Sequence, residues 1–265
     1  MDDFAQTFVL FLLVGVLAQA VDGALGMAYG VISSSVLLAF GVPPATASAS
    51  VHGAEVFTTA ASATSHIWHK NVEWRLLIPL ALAGVVGGVL GAYILTGIDG
   101  TVIKPFIVAY LGLMAVYILW KAGHDNPPKQ IRPAWIVAPL GAVGGFFDAV
   151  GGGGWGPTVS STLVGAGQEP RRAIGTANTA EFFLTVAISA AFVWALVTGH
   201  WEEADGIQGH FAAIGGLIVG GLIAAPFAGL ITKKVPRKGL TYAVGFLLLA
   251  LALFQGLQLA GVVGR

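Results

Sequence analysis

The stretch "GGFFDAVGGGGWGP", residues 144–157, places one carboxylate, Asp148, just before a run of glycines within strongly apolar sequence. Glycine permits backbone conformations that interrupt a helix. A carboxylate in apolar surroundings is expensive, so it needs a partner or a watery cavity. The stretch therefore predicts a helix that breaks beside a buried charge.

The composition is that of a membrane protein. Of 265 residues, 56% are hydrophobic and 10% are charged, and the mean hydropathy is +0.82. Soluble domains carry roughly 25% charged residues. Apolar stretches of about 20 residues, long enough to cross a bilayer, recur along the chain. The absence of cysteine excludes disulfides and thiolate chemistry. The first apolar segment follows acidic "MDDF" and lacks a basic signal-peptide start, so we expect it to be retained.

The chain contains two copies of one design. A shift of 126 positions lays residues 22–59 on residues 148–185 without a gap. The identical pairs are Asp22/Asp148, Gly26/Gly152, Gly30/Gly156, Ser34/Ser160, Ser35/Ser161, Leu37/Leu163, Gly41/Gly167, Pro44/Pro170, Ala47/Ala173, Ala54/Ala180, Glu55/Glu181, Phe57/Phe183 and Thr59/Thr185. Farther along, the offset becomes 133 and aligns Gly87-Gly88 with Gly220-Gly221. Shared apolar bias does not explain matched carboxylates and a matched proline.

Each copy contains a long first region followed by three apolar spans. The first regions are 4–42 and 133–168, and each is interrupted into pieces of about 15–17 residues that are short for full spans. The other spans are 46–67, 76–98, 104–121, 174–199, 210–231 and 239–260. A first region that crosses the membrane once makes the copies parallel, whereas one that doubles back makes them inverted.

Positive charges favour the inverted arrangement, because Lys and Arg concentrate in cytoplasmic loops. In the doubled-back topology one side receives 11 of the 13: Lys70, Arg75, Lys121, Lys129, Arg132, Arg171, Arg172, Lys233, Lys234, Arg237 and Lys238. The other side receives Lys104 and Arg265, with Asp2, Asp3, Asp99, Glu202, Glu203 and Asp205. The predicted fold is an all-α polytopic membrane protein of two inverted-topology repeats, each a broken, re-entrant helical hairpin plus three transmembrane helices. We expect the repeats to be 1–121 and 133–265. The linker 122–132 is expected in the cytoplasm, and both termini are expected on the outer side of the inner membrane.

Four carboxylates are left at membrane depth: Asp22, Asp148, Glu55 and Glu181. Burying each costs on the order of 3 kcal/mol, so we expect ion-coupling or gating roles. The N–H groups at the helix breaks and the following hydroxyls would bind a small anion, because inverted-repeat transporters place substrates at such breaks. His52 and Asn178 lie three residues before Glu55 and Glu181, on the same helix faces. The predicted substrate-binding and cavity residues are Gly26, Tyr29, Gly30, Ser34, Ser35, His52, Gly152, Gly153, Trp155, Gly156, Ser160, Ser161 and Asn178.

Other roles for these residues remain open at this point. Asp22 and Asp148 could serve only as caps of the helix breaks, Glu55 and Glu181 as inter-repeat hydrogen-bonding groups, and Tyr29 and Trp155 as packing around the breaks. His66 and His69 have metal-ligand spacing, but no nearby carboxylate completes a site. The glycine run lacks the GK[ST] of a nucleotide loop, so no nucleotide site is predicted. No cofactor and no metal site are predicted either.

The paired blocks "DGALGMAYG…SSS…GVPPATASASVHGAE" and "DAVGGGGWGP…SS…EPRRAIGTANTAEFF" resemble the sulfite exporter TauE/SafE family of membrane proteins, and the likeness spans essentially the whole chain. The resemblance implies export of small sulfur-containing anions such as sulfite, sulfoacetate or other sulfonates. It favours Asp22, Gly26, Gly30, His52, Glu55, Asp148, Gly152, Gly156, Asn178 and Glu181 as functional residues. The two halves differ, because "LGMA" stands where the second half has "GGGG".

The function favoured by the sequence is secondary transport by alternating access. The expected partners are a small anion, the lipid bilayer, and a proton or sodium ion for coupling, with a homodimer left open and no nucleic acid. A passive anion channel is the alternative. An intramembrane enzyme is disfavoured because no catalytic triad or metal-ligand set is found.

Overall fold

The structure, a computed structural model, describes residues 2–26, 28–124, 134–166, 168–201, 210–225 and 237–263. Throughout these ranges the regular secondary structure is helical. The helices are α1 (Asp2–Leu25), α2 (Tyr29–Ala39), α3 (Pro44–Trp68), α4 (Trp74–Thr96), α5 (Gly100–Gly123), α6 (Ala134–Gly151), α7 (Ser161–Gly165), α8 (Pro170–Val197), α9 (Phe211–Ala224) and α10 (Arg237–Leu259). A π-helical turn, Gly156–Ser160, leads directly into α7.

Five helices in the described ranges are long and apolar enough to cross a membrane: they contain the segments Phe4–Asp22, Trp74–Thr96, Gly100–Gly123, Arg171–Val197 and Lys238–Leu259. Many large apolar side chains on them are exposed, among them Leu82, Phe106, Leu113 and Val193, as expected of surfaces that face lipid. The all-α polytopic fold is thereby confirmed.

Helix α3 is long enough to cross but is not among the five apolar spans. Its polar residues are buried inside the protein, including Ser48, Ser50, His52, Glu55 and Thr58. A polar helix of this kind is stable at membrane depth only when its polar face is surrounded by other helices.

The interruptions of the two first regions lie where the sequence places them, between α1 and α2 and after α6. Helix α1 has 24 residues, about 36 Å at 1.5 Å per residue, and is longer than the predicted 15–17 residues. Helix α2 has only 11 residues, about 17 Å, too short to cross. A re-entrant segment in the first repeat therefore corresponds to α2 rather than to α1.

The starts and ends of the other helices follow local chemistry. Pro44 and Pro170 begin α3 and α8, where the missing proline N–H is not needed. Asp99 caps α5 and accepts hydrogen bonds from the hydroxyl and the backbone N–H of Thr101, which lower the pKa of the Asp99 carboxyl below its usual value.

Helices from the two predicted repeats pack mainly on each other. Helix α4 packs along α6, and α1 packs along α9, which are equivalent pairs in the repeat. The equivalent helices α3 and α8 contact each other, as do α5 and α10. The two halves therefore form one interlocked body rather than two side-by-side bundles.

Glycine permits the close approach within these pairs. A methyl group at Gly87 of α4 would overlap the carbonyl oxygen of Ala142 in α6, and one at Gly220 of α9 would overlap that of Leu12 in α1. Gly87 and Gly220 are equivalent in the repeat. Backbone contact through small residues is a usual means of helix association in lipid.

The repeat boundaries and the inverted orientation stay predictions. Residues 125–132 of the predicted linker and 226–231 of the predicted span 210–231 lie outside the described residues, as do Lys129, Arg132, Glu202, Glu203, Asp205, Lys233, Lys234 and Arg265.

We predict that Gly87→Ala and Gly220→Ala each destabilise the protein by about 1–3 kcal/mol, because the added methyl has no space at the helix contact. The measurement is thermal unfolding in detergent. Gly256→Ala in α10 is the matched control, since nothing lies within 4 Å of a methyl group there. Equal melting temperatures for all three variants would contradict the close packing.

Candidate functional site

At the first break the Asp22 carboxylate caps the start of α2. Its Oδ1 accepts hydrogen bonds from the backbone N–H groups of Ala28 at 2.8 Å and Tyr29 at 3.3 Å. Gly26 adopts a positive φ of 69°, a conformation that other residues rarely adopt. The chain therefore turns at this glycine and returns its free N–H groups to the carboxylate.

The second break has the same construction. Asp148 Oδ1 accepts from the N–H groups of Gly154 at 2.6 Å and Trp155 at 2.8 Å. Gly152 and Gly153 have φ values of 67° and 150°. The donors at 154 and 155 are the repeat equivalents of those at 28 and 29. Two equivalent breaks are thus closed by two equivalent carboxylates.

This geometry bears on the predicted anion site. The N–H groups that would bind an anion at the breaks donate instead to Asp22 and Asp148 in this structure. Both carboxylates therefore cap the helix breaks, which is one of the roles that the sequence left open. An external anion reaches these donors only after the carboxylates release them.

The two breaks face each other across the repeats. A Cβ atom added to Gly30 would lie 2.8 Å from Gly153 Cα and 2.8 Å from Glu55 Oε1. A Cβ atom added to Gly152 would lie 2.7 Å from Ser34 Cβ. Glycine at these positions allows both interrupted backbones and the Glu55 carboxylate to approach one another.

Two adjoining cavities lie at this meeting point, each of about 10 Å³, which is room for about one water molecule. The first is lined by Gln19, Asp22, Tyr29, Glu55, Thr58, Thr59, Ser62, Asn178 and Glu181. The second is lined by Asp22, Ala28, Tyr29, Gly30, Val31, Glu55, Asp148, Gly153, Gly154, Gly156, Pro157 and Glu181. Among these described residues all four predicted carboxylates are present, and none is Lys or Arg.

The remaining predicted site residues do not line the two cavities: Gly26, Ser34, Ser35, His52, Gly152, Trp155, Ser160 and Ser161. Gly26 and Gly152 form the turns of the breaks. The hydroxyls of Ser35 and Ser160 are buried and find no hydrogen-bond partner in the part of the chain that the structure describes, and Ser34 Oγ donates to the Val31 carbonyl. Lys121 Nζ donates to the Ser161 backbone oxygen at 2.7 Å, so this lysine reaches the helix that follows the second break.

Tyr29 and Trp155 are equivalent in the repeat and are both buried. The Tyr29 hydroxyl donates to the Leu217 carbonyl at 2.9 Å, and the Trp155 indole N–H donates to the Ala177 carbonyl at 3.0 Å. Each ring is anchored to a neighbouring helix by its polar atom. Packing accounts for Trp155, whereas Tyr29 also lines both cavities.

The halves differ most at His52 and Asn178. His52 Nε2 lies 3.2 Å from Asp148 Oδ2, and its Nδ1 lies 2.8 Å from the Ser48 carbonyl oxygen. Asn178 Nδ2 instead donates to Ser62 Oγ at 3.1 Å. The first-repeat histidine is therefore paired with the second-repeat break, whereas its equivalent amide bonds to a hydroxyl.

Within the described residues one group of side chains could hold a cation. One ligand atom from each of His52, Glu55 and Asp148 lies within 4.8 Å of the others, and all three residues are buried. The sequence analysis missed this group because Asp148 is distant from the other two in sequence.

The sequence analysis also missed eight cavity residues: Gln19, Thr58, Thr59 and Ser62 in the first cavity, and Ala28, Val31, Gly154 and Pro157 in the second. The repeat contained a signal for Thr59, because its equivalent is Thr185. The two hydroxyl oxygens lie 3.3 Å apart. These equivalent residues therefore meet each other where the two halves pack together. Gln19 and Ser62 showed no such signal.

Comparison with known protein families matches residues 11–254 to the family described as sulfite exporter TauE/SafE. The chain is similar to the probable membrane transporter protein YtnM of Bacillus subtilis (strain 168), at 41% identity over 236 residues, which cover 86% of this chain and 76% of the relative. It is also similar to the probable membrane transporter protein ORF9 of Sinorhizobium sp, at 26% identity over 158 residues, 59% of this chain and 60% of that protein. No solved structure matched the chain.

We predict that Asp148→Ala destabilises the protein by about 2–3 kcal/mol, because it leaves two buried N–H groups without an acceptor. Asp148→Asn is the matched variant: its amide oxygen still accepts these bonds, so most of the stability should be retained. Thermal unfolding of both variants in detergent is the measurement. An alanine variant as stable as the asparagine variant would contradict the capping role.

Proposed function

Because the chain belongs to the sulfite exporter TauE/SafE family of membrane transporters, we propose that it exports small sulfur-containing anions by secondary transport. Sulfite, sulfoacetate and other sulfonates are the proposed substrates, in line with the family's description. The proposed location is the inner membrane, with both termini outside.

One observation carries the proposal of a central transport site. The two broken helices meet at cavities lined by four carboxylates, two from each predicted repeat. Inverted-repeat transporters place their substrate and coupling-ion sites where such helices meet. A membrane protein with a purely structural role would not need four carboxylates at membrane depth, two in each repeat.

Alternating access accounts for the small size of the cavities. Room for about one water molecule suits an occluded, substrate-free state better than an open anion pore. In the proposed cycle, movement of the repeats opens the site to one side at a time. Anion binding at the breaks then requires Asp22 and Asp148 to release the N–H groups that they accept.

Coupling to a proton or sodium ion is proposed at Glu55 and Glu181. These equivalent carboxylates line both cavities, so an ion that neutralises them lowers the repulsion felt by an entering anion. Glu55 is 3% exposed, and its Oε2 has no hydrogen-bond partner in the structure. A neutralising ion at Glu55 would therefore also satisfy a buried oxygen.

The substrate class is tested by a thermal-shift panel on detergent-purified protein with sulfite, sulfoacetate, sulfate, acetate and chloride. A ligand at 100 times its dissociation constant stabilises a protein by about 2.7 kcal/mol, so a substrate should raise the melting temperature measurably. We expect a selective rise with sulfite or sulfonates. Equal responses to all five anions would contradict the proposed selectivity.

The coupling proposal is tested by anion flux into proteoliposomes with an imposed proton or sodium gradient. We expect Glu55→Gln with Glu181→Gln to reduce gradient-dependent flux at least ~10-fold, because the neutral amide cannot take up the ion. Glu169→Gln, at an exposed carboxylate that pairs with Arg171, is the control and should retain flux. Full gradient-dependent flux in the double variant would contradict the proposal.

A further inference from the structure

We propose that His52, Glu55 and Asp148 form a binding site for one divalent transition-metal ion. The ligands are one imidazole nitrogen and two carboxylate oxygens, within 4.8 Å of one another. Imidazole suits ions such as Zn²⁺, Fe²⁺ and Ni²⁺, and carboxylate suits Mn²⁺, so the set selects a first-row divalent ion.

The hydrogen bonds of His52 indicate which nitrogen faces the site. Nδ1 lies 2.8 Å from the Ser48 carbonyl oxygen, which can only accept, so Nδ1 carries the proton. In the neutral ring Nε2 then presents its lone pair to Asp148 Oδ2, 3.2 Å away. Two electron-rich atoms at this distance need a positive species between them: either a second ring proton, which makes His52 and Asp148 an ion pair, or a bound metal ion. A metal-binding histidine usually donates its other N–H to a backbone carbonyl in this way.

Asp148 is oriented by the second break. Its Oδ1 accepts from Gly154 and Trp155, so Oδ2 is the oxygen left to face His52. Hydrogen bonds to the outer oxygen of a ligating carboxylate hold the inner one in position. Asp148 can therefore cap the break with Oδ1 and bind a metal ion with Oδ2.

The Glu55 side chain gives a second reason to expect a bound cation at this cluster. The residue is 3% exposed, and its Oε2 has no hydrogen-bond partner among the described residues. A buried carboxylate oxygen without a partner costs several kcal/mol. A bound cation removes this cost.

The separations suit direct ligation. Metal–ligand bonds of about 2.0–2.2 Å at tetrahedral or octahedral angles place neighbouring ligand atoms about 3.0–3.5 Å apart. The distance between His52 Nε2 and Asp148 Oδ2 is 3.2 Å. A ligand atom of Glu55 lies within 4.8 Å of those of His52 and Asp148, and Glu55 and Asp148 line the same cavity.

A cation bound at this cluster would also attract an anionic substrate. Four carboxylates and no Lys or Arg line the described cavities, so a bare anion would meet only repulsion from charged side chains. Three protein ligands leave at least one coordination position open to another ligand. The role of that position in binding a sulfur oxyanion rests on the proposed function, whereas the metal site itself does not.

The second repeat lacks an equivalent site. Asn178 replaces the histidine, and its amide nitrogen donates to Ser62 Oγ. The amide oxygen of Asn178 is a weaker ligand than imidazole for these ions, and the described residues contain one group of three His or carboxylate ligands, so one ion per chain is expected.

The test is titration of the full chain, with its affinity tag removed and after chelator treatment, with Co²⁺ and Zn²⁺ by calorimetry. We expect one ion per chain, and at least ~10-fold weaker binding in His52→Asn, which introduces the residue present at the equivalent position. Asn178→Ala should bind normally. His66→Asn with His69→Asn should also bind normally, which separates the site from the other histidine pair. The melting temperature of each metal-free variant verifies its fold.

Saturable binding that survives in His52→Asn, or that is lost only in the His66/His69 variant, would overturn the proposal. No binding by the wild-type chain would do the same. Sulfonate flux without metal binding would refute the metal site and leave the transport proposal intact. Metal binding without anion flux or anion-dependent stabilisation would support the site and contradict the transport proposal.

Discussion

The hydrogen bonds between a carboxylate and the N–H groups of an interrupted helix are the interaction on which this architecture depends. Within a membrane, unpaired backbone groups have no water to satisfy them, so a broken helix is stable only when protein groups replace the lost bonds. Asp22 and Asp148 do this at equivalent positions, six and seven residues before the donors they reach. The two breaks closed in this way approach each other and line one cavity.

The same interaction explains why duplication did not produce identical halves. Asp148 serves its own break with one oxygen and faces His52 of the other repeat with the second. Its equivalent, Asp22, has an asparagine rather than a histidine at the corresponding neighbour position. One oxygen of each aspartate caps its helix break, and this keeps the two halves alike. The other oxygen of each aspartate has a different neighbour in each half, so the chemistry of the halves can differ.

The internal repeat made much of the site predictable from sequence. Matched carboxylates and glycines located both breaks, and apolar runs located the long helices to within a few residues at most ends. The pairing of His52 with Asp148 was not predictable, because it depends on how α3 packs against the end of α6. The same holds for Gln19 and Ser62, whose polarity alone does not show which helix face is enclosed. Helix α1 is longer than predicted because it begins at Asp2 and continues through Gly23 to Leu25, directly before the turn at Gly26.

The glycine-mediated packing of α1 on α9 and of α4 on α6 has a consequence for biogenesis. Leu12 and Gly220 come together from opposite ends of the polypeptide, so their contact cannot form until nearly the whole chain has been synthesised. During that interval the N-terminal half resides in the bilayer with its small-residue faces unoccupied and the polar side of α3 unshielded. Insertion and folding are thus separated in time, and the nascent half needs protection that the finished molecule provides for itself.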